Sequence, residues 1–277
     1  MTGRLRARWT VPAPVRRGFR LAGVALVAIG WLGLAATGQA RAEHPAECQA
    51  GGYQTEVDFP LPAVARAIAA KRLTILVLGA GSSSLPGPNG IKNAYPACLQ
   101  RALAAKLPGV AVTVTTDVKS RRTAFEMVKT LPASLAAAKP ALVIWQTATV
   151  DAMQAIDLDQ FSHALDKGIN TARSAGADVV FINPQYSPRT ESMIALGTYV
   201  ENLRWVAMQQ EVPVFDRFNL MKNWADLGIF DLYSTTKKLD MAERVHDCIG
   251  RLLAALVIEA AKSAAEPPRD TQTEGSR

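Results

Sequence analysis

Short apolar runs recur along the chain between segments of mixed polarity. They lie at residues 73–78, 110–115, 141–146, 178–182 and 212–215 and are rich in Val, Ile and Leu. Each run is nearly continuously hydrophobic instead of alternating, which is typical of strands that are buried on both faces of a sheet. We therefore predict five buried strands.

Helical periodicity fills the intervals between these runs, over residues 95–107, 123–138, 158–175, 192–210 and 241–262. Pro132 predicts a break in the second segment. Asp240, with Glu243 three residues later, has the spacing of a capping box at the start of the last segment. The alternation predicts an α/β fold with a flavodoxin-like, doubly wound, five-stranded parallel sheet. In such a sheet the chemistry lies at the carboxyl ends of the strands.

The first 42 residues follow a different pattern. Six arginines precede residue 21, an apolar run extends to about residue 36, and an Ala-Arg-Ala site ends at Ala42. This arrangement predicts a secretory signal peptide that is cleaved after Ala42. A membrane anchor is the alternative, although the run is shorter than the ~20 residues that a spanning helix needs. Arg16 and Arg17 leave a twin-arginine route open beside the general secretory route.

Export changes the interpretation of the net charge of +7. Residues 1–42 hold seven of the 31 basic residues and no acidic ones, which leaves 24 of each sign in the remainder. The excess charge therefore belongs to the predicted signal and does not indicate nucleic-acid binding. We expect a periplasmic or secreted protein with no membrane anchor after cleavage. Its predicted parts are an N-terminal segment (43–70), one domain (71–263) and a disordered tail (264–277).

The cysteines are Cys48, Cys98 and Cys248. An oxidising compartment favours one disulfide and one free thiol, and the pairing stays open at this level. The sequence contains no C-x-x-C motif and no His/Cys cluster, so we expect neither a metal nor a cofactor.

The loop after the first apolar run carries the candidate chemistry, with the sequence GAGSSSLPG from Gly79 to Gly87. A nucleotide-binding loop would need a third glycine at Ser84 or a Walker lysine, and both are absent. The stretch GSSSL resembles block I of the SGNH (GDSL-like) serine hydrolases, a buried strand followed by G-D-S-x-S/T. The resemblance implies an SGNH hydrolase-like three-layer fold with Ser83 as the nucleophile and Ser82 as the second choice. The alternative is that these serines only stabilise a turn.

A histidine near the carboxyl end extends the resemblance. The stretch ERVHDCIG, from Glu243 to Gly250, precedes an apolar helix. It is similar to the last SGNH block, D-x-x-H with a glycine four residues later. The resemblance implies that His246 takes the Ser83 proton and that Glu243 orients the imidazole, with Asp240 as the alternative acid. Otherwise, His246 is a helix-surface residue and Glu243 a capping carboxylate.

The chain departs from the family pattern at the oxyanion hole. The third SGNH block is G-x-N-D, and here Ala148 and Val150 replace the glycine and the asparagine, while Asp151 matches. Val150 offers no side-chain donor for a developing negative charge. The remaining candidates are the backbone N–H groups of Ser83 and Ser120 and the side-chain amides of Gln146 and Asn183.

Two functions follow from the resemblance. The first is an exported hydrolase of ester, thioester or O-acetyl bonds that forms a Ser83 acyl-enzyme and acts on a small-molecule or glycan ester without a cofactor. The second is a non-catalytic envelope protein that binds an acylated glycan or a partner protein. The sequence does not indicate the oligomeric state of the protein.

Overall fold

The computed structural model describes Cys48 and residues 57–233 and 239–265. The predicted signal peptide, most of the N-terminal segment up to residue 56 and most of the predicted tail lie outside the described residues. Within the described part, no helix combines the length and the apolar composition that crossing a bilayer requires.

The five predicted strands form one parallel sheet. They are β1 (Arg72–Gly79), β2 (Ala111–Val118), β3 (Leu142–Gln146), β4 (Asp178–Ile182) and β5 (Val214–Phe215), in the spatial order β2-β1-β3-β4-β5. The flavodoxin-like prediction is therefore confirmed. β1, β3 and β4 lie inside the sheet and are almost fully buried, whereas the edge strand β2 has only partly buried side chains.

Helices cover both faces of the sheet. In chain order they are α1 (Pro62–Ala69), α2 (Gly90–Asn93), α3 (Tyr95–Lys106), α4 (Ala124–Ala138), α5 (Thr149–Met153), α6 (Leu158–Ser174), α7 (Pro188–Met193), α8 (Leu196–Gln209), α9 (Arg217–Asp226) and α10 (Leu239–Ala265). The helices α1, α3 and α10 pack together on one face, and α4, α6 and α8 on the other, as right-handed crossovers require. The predicted three-layer α/β/α arrangement is confirmed.

Two details of the helix prediction are wrong. α4 continues through Pro132, because a capping box between Thr123 and Glu126 fixes its first turn and a stripe of buried residues holds the rest against the core. The single helix predicted over 192–210 covers the last two residues of α7 and all of α8, because the backbone at Ile194 is extended between them.

The ends of α10 also differ from the prediction. Asp240 lies inside the helix, so it is not the N-cap residue, and the predicted capping box with Glu243 is wrong. The helix continues to Ala265, so the first two residues of the predicted tail are helical. The buried face of α10 runs nearly its whole length, which explains why the helix is longer than its predicted span.

A disulfide joins Cys48 to Cys248 and leaves Cys98 as a buried free thiol. The bond ties the N-terminal segment to α10. A second link lies nearby, where the Leu61 amide donates to the Ala260 carbonyl at 3.0 Å. These contacts hold α10 in place, and α10 in turn carries His246.

The helices α3 and α10 approach closely at Gly250. A Cβ on this residue would lie 2.5 Å from the Cβ of Cys98 and 2.8 Å from the amide nitrogen of Leu99. Only glycine permits that approach without displacing α3. The glycine of the ERVHDCIG stretch therefore brings His246 against the first turn of α3.

Candidate active site

The serine loop lies at the carboxyl edge of the sheet, where β1 ends. Residues Gly81–Ser83 form a single 3₁₀ turn directly after β1. A Cβ on Gly79 would lie 2.3 Å from the Ser83 hydroxyl oxygen, so the missing side chain makes the room that this hydroxyl occupies. The turn places Ser83 inside the protein, where it is 1% exposed.

The Ser83 hydroxyl takes part in a defined polar network. It donates to the side-chain oxygen of Gln146, a residue at the end of β3. The Tyr95 hydroxyl lies 3.1 Å from the Ser83 oxygen, and since the Ser83 hydrogen is engaged by Gln146, Tyr95 is the donor. The Gln146 side-chain nitrogen donates to the Ser82 hydroxyl at 2.5 Å.

Tyr95 connects this network to His246. It is the first residue of α3, so its backbone N–H has no acceptor within the helix. His246 Nδ1 accepts that hydrogen bond at 2.9 Å. Ser83 and His246 therefore contact two ends of one residue and lie at the same edge of the sheet.

The protonation state of His246 follows from these contacts. A ring nitrogen that accepts an N–H bond carries no proton, so the neutral imidazole holds its hydrogen on Nε2. Burial, and secondarily the positive charge of Arg217, lowers the pKa of His246 to about 3. The side chain is thus neutral at physiological pH.

The direct contacts expected of a Ser-His-acid triad are not formed. Among the described residues, no hydrogen bond joins Ser83 to His246, and none joins Glu243 to His246. Glu243 Oε1 accepts instead from the Asn93 side-chain amide at 2.8 Å. The structure thus brings Ser83 and His246 to one site but gives Glu243 a partner on α2.

The candidate oxyanion donors differ in their availability. The Ser83 backbone N–H donates to the Ala80 carbonyl at 2.9 Å, so it is not a free donor in this conformation. In the described part of the chain, the Ser120 amide has no acceptor, and its side-chain oxygen lies 3.4 Å from where a Cβ of Gly81 would be. Gln146 contacts Ser83 directly. Of these donors, Ser120 is the one left unused near the serine turn.

Asn183 belongs to the start of α9 instead. Its side-chain nitrogen donates to Asp216 at 2.7 Å, and its side-chain oxygen accepts from the Phe218 amide at 2.8 Å. Asp216 caps the helix by accepting from the Asn219 amide. This network fixes the position of Arg217, the first residue of α9.

The residues that follow β3 correspond to the third block of the family pattern, and the structure shows the conformation or contacts of each. Ala148 has a left-handed backbone with φ of 77°, a conformation in which glycine would be less strained than alanine. Asp151 accepts from the Ala124 amide at 2.9 Å at the start of α4, which is a structural role. Val150 packs against the hydrophobic core as a partly buried residue.

Two further residues of the site were not predicted from the sequence. Tyr95 bridges Ser83 and His246, although its position at a helix start gave no sign of that role. Arg217 is fully buried, and its Nη1 lies 3.4 Å from the Ser82 carbonyl oxygen. Burial raises the pKa of Tyr95 to about 12, an effect that the Ser83 hydrogen bond and the charge of Arg217 oppose. The position of Arg217 just after a strand end was the available signal.

The five-stranded parallel sheet with a serine turn after its first strand is the arrangement found in the SGNH (GDSL-like) fold. Solved structures agree. TesA aligns with a TM-score of 0.52 and 23% identity over 65% of this chain and 97% of that chain. A catalytic mutant of Axe2, an acetylxylan esterase from Geobacillus stearothermophilus, aligns with a TM-score of 0.52 and 14% identity over 67% and 93%. A G-D-S-L family protein from Desulfitobacterium hafniense DCB-2 aligns with a TM-score of 0.50 and 15% identity over 66% and 99%.

The family follows from the sequence itself. The model of the Non-GDSL lipase-like family matches residues 47–263, which is most of the chain. The protein belongs to that family. Comparison with curated protein sequences gives no match.

Proposed function

We propose that this protein hydrolyses carboxylic esters with Ser83 as its nucleophile. The observation that supports this most directly is the placement of Ser83 in a turn at the carboxyl end of β1, with Tyr95 between it and His246. Membership of a lipase-like family and a fold shared with named esterases point to the same bond type.

The proposed reaction requires one rearrangement. Neutral His246 has the protonation state of a general base, but the Nδ1 lone pair is engaged by the Tyr95 amide. We propose that substrate binding turns the imidazole so that Nε2 accepts the Ser83 proton. Nδ1 then carries the ring hydrogen and faces Glu243, one helical turn earlier, with Asp240 as the alternative acid. Water then hydrolyses the acyl-enzyme.

The substrate class follows from the access to Ser83. A serine that is 1% exposed favours a short acyl group on a small molecule or glycan over a long lipid chain. The acetylxylan esterase among the structures of the same fold is named for such a substrate. We therefore place small-acyl and O-acetyl esters first.

The experiment is covalent labelling with a fluorophosphonate probe, combined with turnover of p-nitrophenyl acetate. Ser83→Ala should abolish both, because the reacting oxygen is lost. Ser84→Ala is the matched control, since Ser84 is exposed and its hydroxyl only donates to the Gly81 carbonyl. Labelling that survives in Ser83→Ala and disappears in Ser82→Ala would move the nucleophile to Ser82.

A second candidate is a non-catalytic binding protein of the envelope. It is favoured by the Ser83 hydrogen that points to Gln146, the occupied Nδ1 of His246 and the missing donor at Val150. A correctly folded wild-type protein that neither labels nor turns over short esters would support this candidate over the first.

We also propose that the chain is exported. The basic, apolar and Ala-Arg-Ala pattern of residues 1–42 supports export, and so does a disulfide between Cys48 and Cys248, since such bonds persist in oxidising compartments. Intact mass of the protein isolated from its native envelope should correspond to a chain that begins at Glu43. A mass that retains residues 1–42 would contradict cleavage.

A further inference from the structure

Arg217 is a charged residue of the site to which the proposed reaction assigns no role. Its side chain is fully buried, and Nη1 makes a long hydrogen bond of 3.4 Å to the Ser82 carbonyl. Within the described ranges, Nε and Nη2 have no acceptor, and no carboxylate forms an ion pair with the guanidinium. A buried cation is thus left with three unsatisfied donor hydrogens.

Arg122 is also buried, and its contacts are those of a structural residue. Its guanidinium pairs with Asp117 at 3.1 Å and donates to the Gly79 and Asp117 carbonyls. It therefore clamps the ends of β1 and β2 with its charge compensated. Arg217 has no such compensation, and a buried unpaired charge destabilises a fold. A buried charge without a counter-charge therefore points to a role other than stability.

The charge of Arg217 acts on the serine site. The residue is held at the start of α9 by the Asn183 and Asp216 network, beside the turn that carries Ser83. The same charge lowers the pKa of both Tyr95 and His246, so those side chains lie within its field. Negative charge that develops at Ser83 therefore meets a fixed, poorly hydrated cation.

We propose that Arg217 stabilises the negative charge formed on the ester carbonyl oxygen, in place of the asparagine amide that Val150 does not supply. The inference rests on the proposed function. In the step concerned, the Ser83 oxygen bonds to the carbonyl carbon, the carbonyl π electrons move to the carbonyl oxygen, and the Ser83 proton passes to His246. The unpartnered Nε–H and Nη2–H groups are the donors that meet the oxyanion. As the oxyanion collapses, the bond to the alcohol breaks, and His246 returns the proton to that alcohol.

The test is Arg217→Met, which removes the charge and keeps much of the volume. We expect kcat for p-nitrophenyl acetate to fall about 100-fold or more while KM changes less than about threefold, because the lost interaction exists only in the transition state. We also expect Tm to rise, since an uncompensated buried charge is gone. Arg122→Met should lower Tm, because it leaves Asp117 without its partner. Arg173 is an exposed residue in the last turn of α6 and donates to the carbonyls of Gln210 and Glu211. Arg173→Met should therefore leave kcat unchanged.

The outcomes separate this inference from the proposed function. A wild type that labels and turns over, together with an Arg217→Met variant of normal kcat, overturns the role of Arg217 alone. A variant with lower kcat and a Tm lowered as in Arg122→Met also overturns it, because the residue is then structural. A wild type that neither labels nor turns over overturns both.

Discussion

His246 has a structural contact in addition to the catalytic role that we propose for it. Its Nδ1 satisfies the first amide of α3, which Ala94, the residue before the helix, does not cap with a side chain. That contact requires the unprotonated ring, and burial beside Arg217 enforces it by lowering the pKa of His246. A histidine in this state stabilises the fold only while it remains neutral.

Acid should therefore weaken the fold through this residue. In the unfolded chain His246 binds a proton below its ordinary pKa of 6.5, whereas in the folded protein it does so only near pH 3. The unfolded state thus binds more protons between these values, and stability falls as the pH drops through that window, by on the order of 3–5 kcal/mol from this group. Urea unfolding at pH 7 and pH 4.5 should show the part of this loss that falls above pH 4.5, about 2–3 kcal/mol.

His246→Asn is the informative variant. The asparagine side-chain oxygen takes the place of Nδ1 and can accept the Tyr95 amide hydrogen without titrating, so the variant should lose much less stability at pH 4.5 than the wild type. His163→Asn, a change on α6 away from this contact, should retain the wild-type acid sensitivity. Equal acid sensitivity in His246→Asn and the wild type would show that other groups cause it.

At the scale of elements, close helix–sheet packing depends on Gly168 in α6. A Cβ there would lie 2.2 Å from the Cζ3 atom of Trp145, which is 1% exposed in β3. The indole cannot move away, because it is surrounded by core residues, including Phe181 at a ring-centroid distance of 5.4 Å. α6 therefore lies as near the sheet as a bare helix backbone allows.

Gly168→Ala should destabilise the protein by about 1–3 kcal/mol, because overpacking exceeds the gain of up to about 1 kcal/mol in helix propensity. Gly197→Ala on α8 is the matched control, since a Cβ there meets nothing within 4 Å, and it should stabilise slightly. Denaturant midpoints of the two variants give the comparison. Stabilisation by Gly168→Ala would mean that Trp145 can move.

At the scale of the whole molecule, the Cys48–Cys248 disulfide links positions 200 residues apart. It restricts the unfolded chain and anchors the N-terminal segment on α10. Because α10 carries His246, the bond also supports the site indirectly.

Replacing Cys48 and Cys248 together by serine should lower the free energy of unfolding by about 2–5 kcal/mol. Dithiothreitol should lower the wild-type Tm in the same way and leave the double variant unchanged. Cys98→Ser, which removes only the free thiol, should retain the response to the reductant. A wild type whose Tm is indifferent to reduction would contradict the stabilising role.

The fold was largely predictable because strands buried on both faces need continuous apolar runs, and those runs are local. The predictions that were wrong depend on contacts between segments that are distant in the sequence. α4 passes through Pro132 because buried residues hold it against the sheet, and α10 takes in Asp240 as part of a long buried helix. Likewise, the resemblance to the SGNH blocks implied that Ser83 and His246 approach each other, but not that Tyr95 lies between them.

By itself, the sequence determined the order of strands and helices, the parallel sheet, and the edge of the sheet at which Ser83 lies. Periodicity and strand-end position are properties of residues that are neighbours in the sequence, so the sequence alone reveals them. Only the tertiary structure decided which cysteines pair, which hydrogen-bond partner each site residue takes, and that Arg217 is buried without a counter-charge beside the serine turn. Those outcomes depend on which segments pack together, and that is set by the three-dimensional competition for space and hydrogen bonds.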